Sequence, residues 1–499
     1  MSEQFDLAVI GAGPGGYSTA LRAAQLGLNV ALIERDATLG GTCLNRGCIP
    51  SKALITATHT IDTVHRAAEL GVNASVDGID FGRLRDWRLH VVDTMVKGLT
   101  GLVAHRGITV FRANATFNAG APVQTADGTV HSVQLLPSPG QHDVLRYVKA
   151  GIGEPAGSAL TIEAKNVVLA TGAKPRSLPG NPFAGALIDS TQALELDTFP
   201  SCAVIIGAGA IALEFASMWN AAGCEVTLLI RKDRVLSAWD RRAATTLTRE
   251  LKRQGVTIIT KTNVTHVDTG ANLGATVHYT REGDTTEAQV FGEIVLAAIG
   301  RDPISDAAWG VHLTNSGHIV TDAYGRASEP GVWAVGDATV GHALAHRAFE
   351  QGIVVAESIA GLPDVTPVNE SSVPQIVFSS PEAACVGLTA EQAKASGEFS
   401  DVNETVYPML ANARMLMSGT AGSMTVVSGC DAANPGTPLV LGVHMVAPVA
   451  SDIIAEAEQL VGNRVPLSQA ARLIHPHPTF SETLGEALLK ADGRPLHTR

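Results

Sequence analysis

The chain opens on an apolar run, and the pattern of that run recurs once. In "FDLAVIGAGPGGYSTALRAAQLGLNVALIE" (5–34) a nearly continuous apolar stretch meets a turn carrying Gly11, Gly13 and Gly16. An Ala/Leu-periodic segment and a second apolar run ending at Glu34 follow it. Continuous apolar runs of this length fit strands buried on both faces, and the periodic segment between them fits a helix. The pattern predicts strand, tight turn, helix, strand. Glycines at those spacings allow the turn, let backbone approach a pyrophosphate, and let the helix pack on the strand, while the helix N-terminus faces the phosphates. Glu34 stands about 20 residues beyond the first glycine, where a carboxylate accepts hydrogen bonds from a ribose diol. The same pattern returns in "SCAVIIGAGAIALEFASMWNAAGCEVTLLI" (201–230), with Gly207 and Gly209, and Ala212 in place of the third glycine. Here the position of the strand-ending carboxylate is held by Ile230, followed by Arg231, Lys232 and, two residues on, Arg234. A missing carboxylate beside cations suits a 2′-phosphate, so this second site leans towards NADP. Two such folds imply two dinucleotides, and hydride transfer between nicotinamide and flavin is the chemistry such a pairing serves.

Between the two folds lies "GGTCLNRGCIPSK" (40–52), which sets Cys43 and Cys48 in one short turn. Pro50 and the spacing of "SKALITATHTIDTVHRAAEL" predict a helix starting near Ile49 and Pro50, with Cys43 and Cys48 before or within its first turn. A helix N-terminus there stabilises a thiolate. Lys52 falls one turn beyond Cys48, on the same face.

Composition narrows the class. With 499 residues, 45% apolar and 17% charged, and 50 glycines, the chain reads as an α/β protein of about three domains. The formal charge of −12 and the lack of any basic run argue against a nucleic-acid partner. No export signal and no apolar stretch of about 18 residues stands out, so a soluble, cytoplasmic protein without a membrane partner is expected. Six cysteines, scattered except for the first pair, do not make a disulfide scaffold, and the other four read as small core fillers. No metal site is expected.

At this point the sequence resembles the pyridine nucleotide:disulfide oxidoreductases. The likeness is carried by "GAGPGGY", "GGTCLNRGCIPSKAL", "VVLATGAKPRSLPG" (167–180), "AAIGRDP" (297–303), "VWAVGDA" (332–338), "LAHRA" (344–348), "VFSSPEAACVGLT" (377–389) and "HPHPTFSE" (475–482). It implies two Rossmann-like domains, binding FAD and NAD(P), plus a C-terminal α+β dimerisation domain. The expected division is an FAD domain over 1–180, an NAD(P) domain over 181–290, a return to the FAD/central domain over 291–362 and an interface domain over 363–499. "GAKPRSLPGNP" and "GLPDVTPVNESSVP" have the Pro/Gly chemistry of linkers at two of these joints.

The resemblance also implies roles. Cys43 and Cys48 would form a redox-active disulfide, Cys43 exchanging with substrate and Cys48 facing the flavin. Gly41, Thr42, Ala115, Thr171, Gly172 and Ala345 would join the glycine turn, Glu34 and Lys52 in holding FAD, with Asp337 on its ribityl chain. Lys52 would pair with Glu214. Ile211, Glu214, Ile230, Arg231, Val264 and Gly300 would join Gly207 and Gly209 around NAD(P). Thiol exchange needs a base, which would be His477 oriented by Glu482. His477 is preferred to His475 because it begins the HPTxSE string. In the family the base comes from the second subunit of a homodimer. The branch resembled most oxidises protein-bound dihydrolipoamide, with a lipoyl domain or carrier of a 2-oxo acid dehydrogenase complex or glycine cleavage system as partner. The alternatives are an NADPH-dependent flavin disulfide or quinone reductase for another substrate, and a flavin-loaded scaffold. Three features depart from the family: the basic turn after Ile230, a long loop at about 119–162 with loop chemistry at both ends, and "GSMTVV" (422–427), which lacks an expected lysine.

Overall fold

A computed structural model describes residues 3–125, 128–147, 153–270 and 274–498. The chain forms two compact units. One comprises residues 1–53, 82–175 and 301–368, and the other comprises 54–81, 176–300 and 369–499. The chain passes between the units at 53/54, 81/82, 175/176, 300/301 and 368/369, so that 54–81, the second nucleotide fold and the C-terminal domain share a unit.

The first unit is built on a parallel sheet. Strand β1 (Glu3–Ile10) is flanked by β2 (Val30–Glu34) and by the strand Leu160–Leu169, and the outer places are taken by Thr109–Phe117 and Val332–Ala334. Leu7, Val9 and Leu32 are fully covered on one face, and Ala8, Ala31 and Ile33 on the other. This is the environment their unbroken apolar runs require. Leu32→Ala would cost about 2–5 kcal/mol as a cavity in such a core. Helix α1 (Pro14–Gln25) begins with Pro at its first position, where no backbone donor is lost.

The described part of the long stretch at 119–162 is more strand than loop. Gly128–Pro137 pairs antiparallel with both Thr109–Phe117 and Leu160–Leu169, and Leu145–Tyr147 adds to Thr109–Phe117. Residues 126, 127 and 148–152 of that stretch lie outside the described residues.

In the second unit a five-stranded parallel sheet has the order Leu187–Ile188, Ile294–Ala297, Cys202–Ile206, Glu225–Ile230, Thr257–Thr260. The helix Ala210–Ala221 follows its glycine turn. The C-terminal domain is a five-stranded antiparallel sheet in which Ser423–Asp431 pairs with Phe399–Tyr407 and Asn434–Ala447. "GSMTVV", without the expected lysine, runs into a strand buried from Ser423 to Cys430, and Met424 and Val426 are wholly covered in the core cluster that also holds Ile454, Leu484 and Leu488. Of the four isolated cysteines, Cys224, Cys385 and Cys430 are buried as core fillers, and Cys202 is partly exposed.

Candidate active site

In the first unit the chain makes a cradle out of missing side chains. Gly11 has φ +101°, and a Cβ there would lie 2.4 Å from the Ala170 carbonyl oxygen. Gly13 caps α1 with no side-chain acceptor, so the first-turn amides keep their donors. A Cβ on Gly16 would run into the Gly11 carbonyl at 1.8 Å. Gly40 N–H donates to the Ala12 carbonyl at 2.9 Å, and this staples the cysteine segment to the glycine turn. Gly41, with φ +57°, is pressed so close that a Cβ would lie 2.6 Å from the Gly13 Cα.

Glu34 is nearly covered, and its two oxygens accept from Ala12 N at 2.8 Å and Asp36 N at 2.9 Å. Burial pushes its carboxyl up, against the pull of those two amides. Asp36 is held by Arg46 at 2.6 Å. Beside Glu34 opens a cavity of ≈ 190 Å³, walled by Val96, Val103, Ile108, Val110 and Arg112, whose buried Nε has no hydrogen-bond partner among the described residues. An apolar cavity, a carboxylate at its mouth and uncapped helix amides fit the adenosine diphosphate portion of a dinucleotide.

The cysteines sit on two helices rather than one. Cys43 lies in the short α2 (Gly41–Arg46), which also carries Thr42, and Cys48 is the first residue of α3 (Cys48–Arg66), a little earlier than the spacing suggested. Pro50 is still within the first turn, where it breaks no bond. Gly47, at φ −147°, turns the chain between them. Cys43 is partly buried and Cys48 is exposed. The hydrogen bond to Cys48 pushes the Cys43 thiol up, burial and the Cys48 charge add to this, and Lys52 opposes it. Lys52 Nζ lies 3.4 Å from Ser51 Oγ. Tyr17 faces both sulfurs, and burial and their charge push its phenol to about 12.

Asp337 lies just past the strand Val332–Ala334, in the turn Gly336–Ala338. Burial pushes its carboxyl up, while Arg301 and Arg347 pull it down, and its charge reaches Cys43. The turn is braced by Gln351, whose Oε1 accepts from Gly336 N at 2.8 Å. Thr171 Oγ1 donates to the Ile304 carbonyl at 2.6 Å, and the Gly172 carbonyl accepts from Ile304 N. Ala345 opens the helix Ala345–Ile359. Ala115 lies mid-strand opposite Leu135 and packs against the core, where the cavity wall draws on Val110 and Arg112 of the same strand instead.

The second unit repeats the cradle. Gly207 has φ +146°, and its Cβ would lie 2.3 Å from the Ala298 carbonyl oxygen. Gly209 caps the helix Ala210–Ala221, again with no side-chain acceptor, and Ile211 sits in its first turn. Glu214, buried on that helix, accepts from Phe378 N at 3.1 Å. Ile230 is fully buried at its strand end and Arg231 is exposed. Val264 packs partly buried on the neighbouring core, and Gly300, at φ +128°, accepts from Arg176 N. This set fits a second dinucleotide.

The same unit also carries the dyad. His477 Nδ1 lies 2.8 Å from Glu482 Oε2, with the imidazole 76% exposed and the carboxylate 17%. A carboxylate only accepts, so Nδ1 carries the proton and Nε2 is the free base. His475 instead pairs inward, Nε2 to Glu456 Oε1 at 2.9 Å, over Gly485. The hydrogen bond to Glu456 pushes its imidazole up. Asn412 completes the dyad. It donates through Nδ2 to Glu482 Oε1 at 2.8 Å and to the Thr479 carbonyl, and accepts from Met415 N through Oδ1. Asn412 escaped the sequence reading, where its one signal was a helix-capping residue type in "ANARM".

Cradle and thiol pair in one unit, second cradle and His–Glu dyad in the other, define a flavin- and pyridine-nucleotide-dependent disulfide enzyme. Residues 5–352 match the family model "Pyridine nucleotide-disulphide oxidoreductase", and residues 373–488 match the dimerisation domain of that family. The chain belongs to this family. It uses FAD and NAD(P), and the residues of the two cradles fit them. Its relatives include a dihydrolipoyl dehydrogenase of Geobacillus stearothermophilus, 34% identical over 98% of this chain and 96% of that one. Another, from Cupriavidus necator H16, is 36% identical over the full length of both. Among solved structures, LpdA from Mycobacterium tuberculosis matches with a TM-score of 0.83 and 25% identity, over 98% of this chain and 99% of that one. The HOCl-induced flavoprotein disulfide reductase RclA from Escherichia coli matches with a TM-score of 0.78 and 26% identity, over 98% and 99%. Among the described residues no helix is long and apolar enough to cross a membrane, and no group of three or more His, Cys, Asp or Glu could hold a metal ion.

Proposed function

We propose that this chain is a dihydrolipoyl dehydrogenase, oxidising protein-bound dihydrolipoamide to lipoamide at the Cys43–Cys48 pair. The observation that carries this reading is the hydrogen bond between Cys43 in α2 and Cys48 at the start of α3, in a segment held to a dinucleotide cradle by the Gly40 to Ala12 bond. In the oxidised pair, a substrate thiolate attacks Cys43 sulfur and Cys48 leaves as thiolate, favoured by the helix N-terminus and Lys52. The second substrate thiolate attacks the mixed disulfide at the substrate sulfur, closing the lipoyl disulfide and releasing Cys43. His477 Nε2 takes the proton from the attacking thiol, and Glu482 stabilises the imidazolium. Bound FAD and NAD(P) supply the two-electron acceptors that return the pair to its disulfide.

We further propose that the base reaches the thiols from a second copy of the chain. His477 is exposed, and Leu410, Leu416, Leu473 and Ile474, the last at 97% exposure, surround the dyad's segments with the apolar surface that a homodimer covers. The partner is a lipoyl domain or lipoyl carrier. Steady-state turnover of dihydrolipoamide with NAD⁺ and with NADP⁺ tests the reading. Failure with both nucleotides leaves the chain a flavin disulfide or quinone reductase for another substrate.

A further inference from the structure

The chain contains its own control for nucleotide choice, because it folds the same unit twice. Gly11, Gly13 and Glu34 of the first cradle correspond to Gly207, Gly209 and Ile230 of the second, and Arg35 and Asp36 correspond to Arg231 and Lys232. In the first unit the strand end is acidic. Glu34 is tied to the glycine turn through Ala12 N, and Asp36 is neutralised by Arg46. In the second the strand ends on a buried aliphatic side chain, and the two residues after it are cations that replace a cation and an anion. The side chains of Arg231 and Lys232 are exposed and make no hydrogen bond or ion pair among the described residues.

The other charges of this corner are already committed. Arg234 donates to the Ser237 carbonyl at 3.0 Å and lies 3.3 Å from Asp233. Lys261, whose backbone N–H bonds the Lys232 carbonyl, holds Glu282 at 2.9 Å. The position of the strand end is the place where a Rossmann unit reads the ribose 2′ substituent. A neutral Ile230 offers a 2′-hydroxyl no acceptor, while two free cations suit a dianionic phosphate.

We infer that this enzyme prefers NADP over NAD, and that Arg231 and Lys232, rather than Arg234, set the preference. The inference rests on the oxidoreductase reading above and specifies its cosubstrate. It excludes the NAD preference that a strand-end carboxylate would confer.

The test is direct binding to the FAD-loaded enzyme by titration calorimetry, with NADP⁺ and NAD⁺ as probes and no lipoamide present. A failure of lipoamide turnover therefore does not touch it. NADP⁺ should bind at least about tenfold tighter than NAD⁺, as lost charge-assisted contacts to phosphate are worth. That advantage should shrink steeply with added salt. In Arg231→Ala/Lys232→Ala it should vanish through loss of NADP⁺ affinity, with NAD⁺ affinity reporting an intact fold. Arg234→Ala should keep the preference, and Ile230→Glu should shift it towards NAD⁺. A wild-type enzyme that prefers NAD⁺ or has no preference overturns the inference. So does a preference for NADP⁺ that survives the double substitution.

Discussion

Asn412 holds Glu482 by a hydrogen bond of 2.8 Å from its Nδ2 to Oε1, while the other oxygen of the same carboxylate holds His477. The amide thus fixes the carboxylate that fixes the base, and its own oxygen caps the helix Ala413–Ser418. Two roles meet in one residue, and substitution separates them. Asn412→Ser keeps a capping side chain but cannot reach Glu482, so the melting temperature should hold while lipoamide turnover falls about tenfold, the worth of one charge-assisted bond. Full turnover in the serine variant would reduce Asn412 to a cap.

The two neighbouring histidines should behave oppositely. His477→Gln removes the base and should cost about 10²–10⁴ in lipoamide turnover with little change in stability. Glu456→Gln acts on His475 alone. The folded imidazole is raised above its ordinary 6.5 by Glu456, so this pair adds stability that is complete below the unfolded value and is lost as pH rises through the folded one. Urea midpoints of Glu456→Gln and the wild type should therefore differ most at acid pH and converge above neutrality. A difference that grows with pH would contradict the pairing.

Gly41→Ala should yield protein poor in FAD. The new Cβ meets the Gly13 Cα at 2.6 Å, in a left-handed backbone that alanine disfavours. Either the turn moves away from the cradle or the cradle opens, and in both cases the flavin absorbance per chain should drop several-fold. A variant purified with full flavin would show that the two segments are not coupled as described.

Much of this was legible in the sequence because local chemistry agreed with global fold. Both glycine turns, Glu34 and the Cys43–Cys48 helix start announce themselves within about 30 residues of chain, the span of one βαβ unit. The helix carrying Cys48 began slightly early, since Pro50 is tolerated anywhere in a first turn. The stretch at 119–162 read as loop because its Gly and Pro residues mask short strands whose pairing is set by distant partners, Thr109–Phe117 and Leu160–Leu169. Asn412 stayed hidden for the same reason. Its meaning depends on Glu482, brought beside it by tertiary folding, and no spacing rule joins them. Gln351 under Gly336 is a third case.

Cys48→Ser should retain FAD and lose lipoamide turnover by several orders of magnitude, because thiol exchange then has no second sulfur to leave or to return. Iodoacetamide should inactivate the wild type only after reduction, since only the dithiol presents a thiolate to alkylate.

If the thiol pair is a redox couple joined to the flavin, the purified enzyme should take up about four electrons per FAD in anaerobic reductive titration, two for the flavin and two for the disulfide. Uptake of about two, with Cys43 and Cys48 unreactive to thiol reagents before and after, would contradict it.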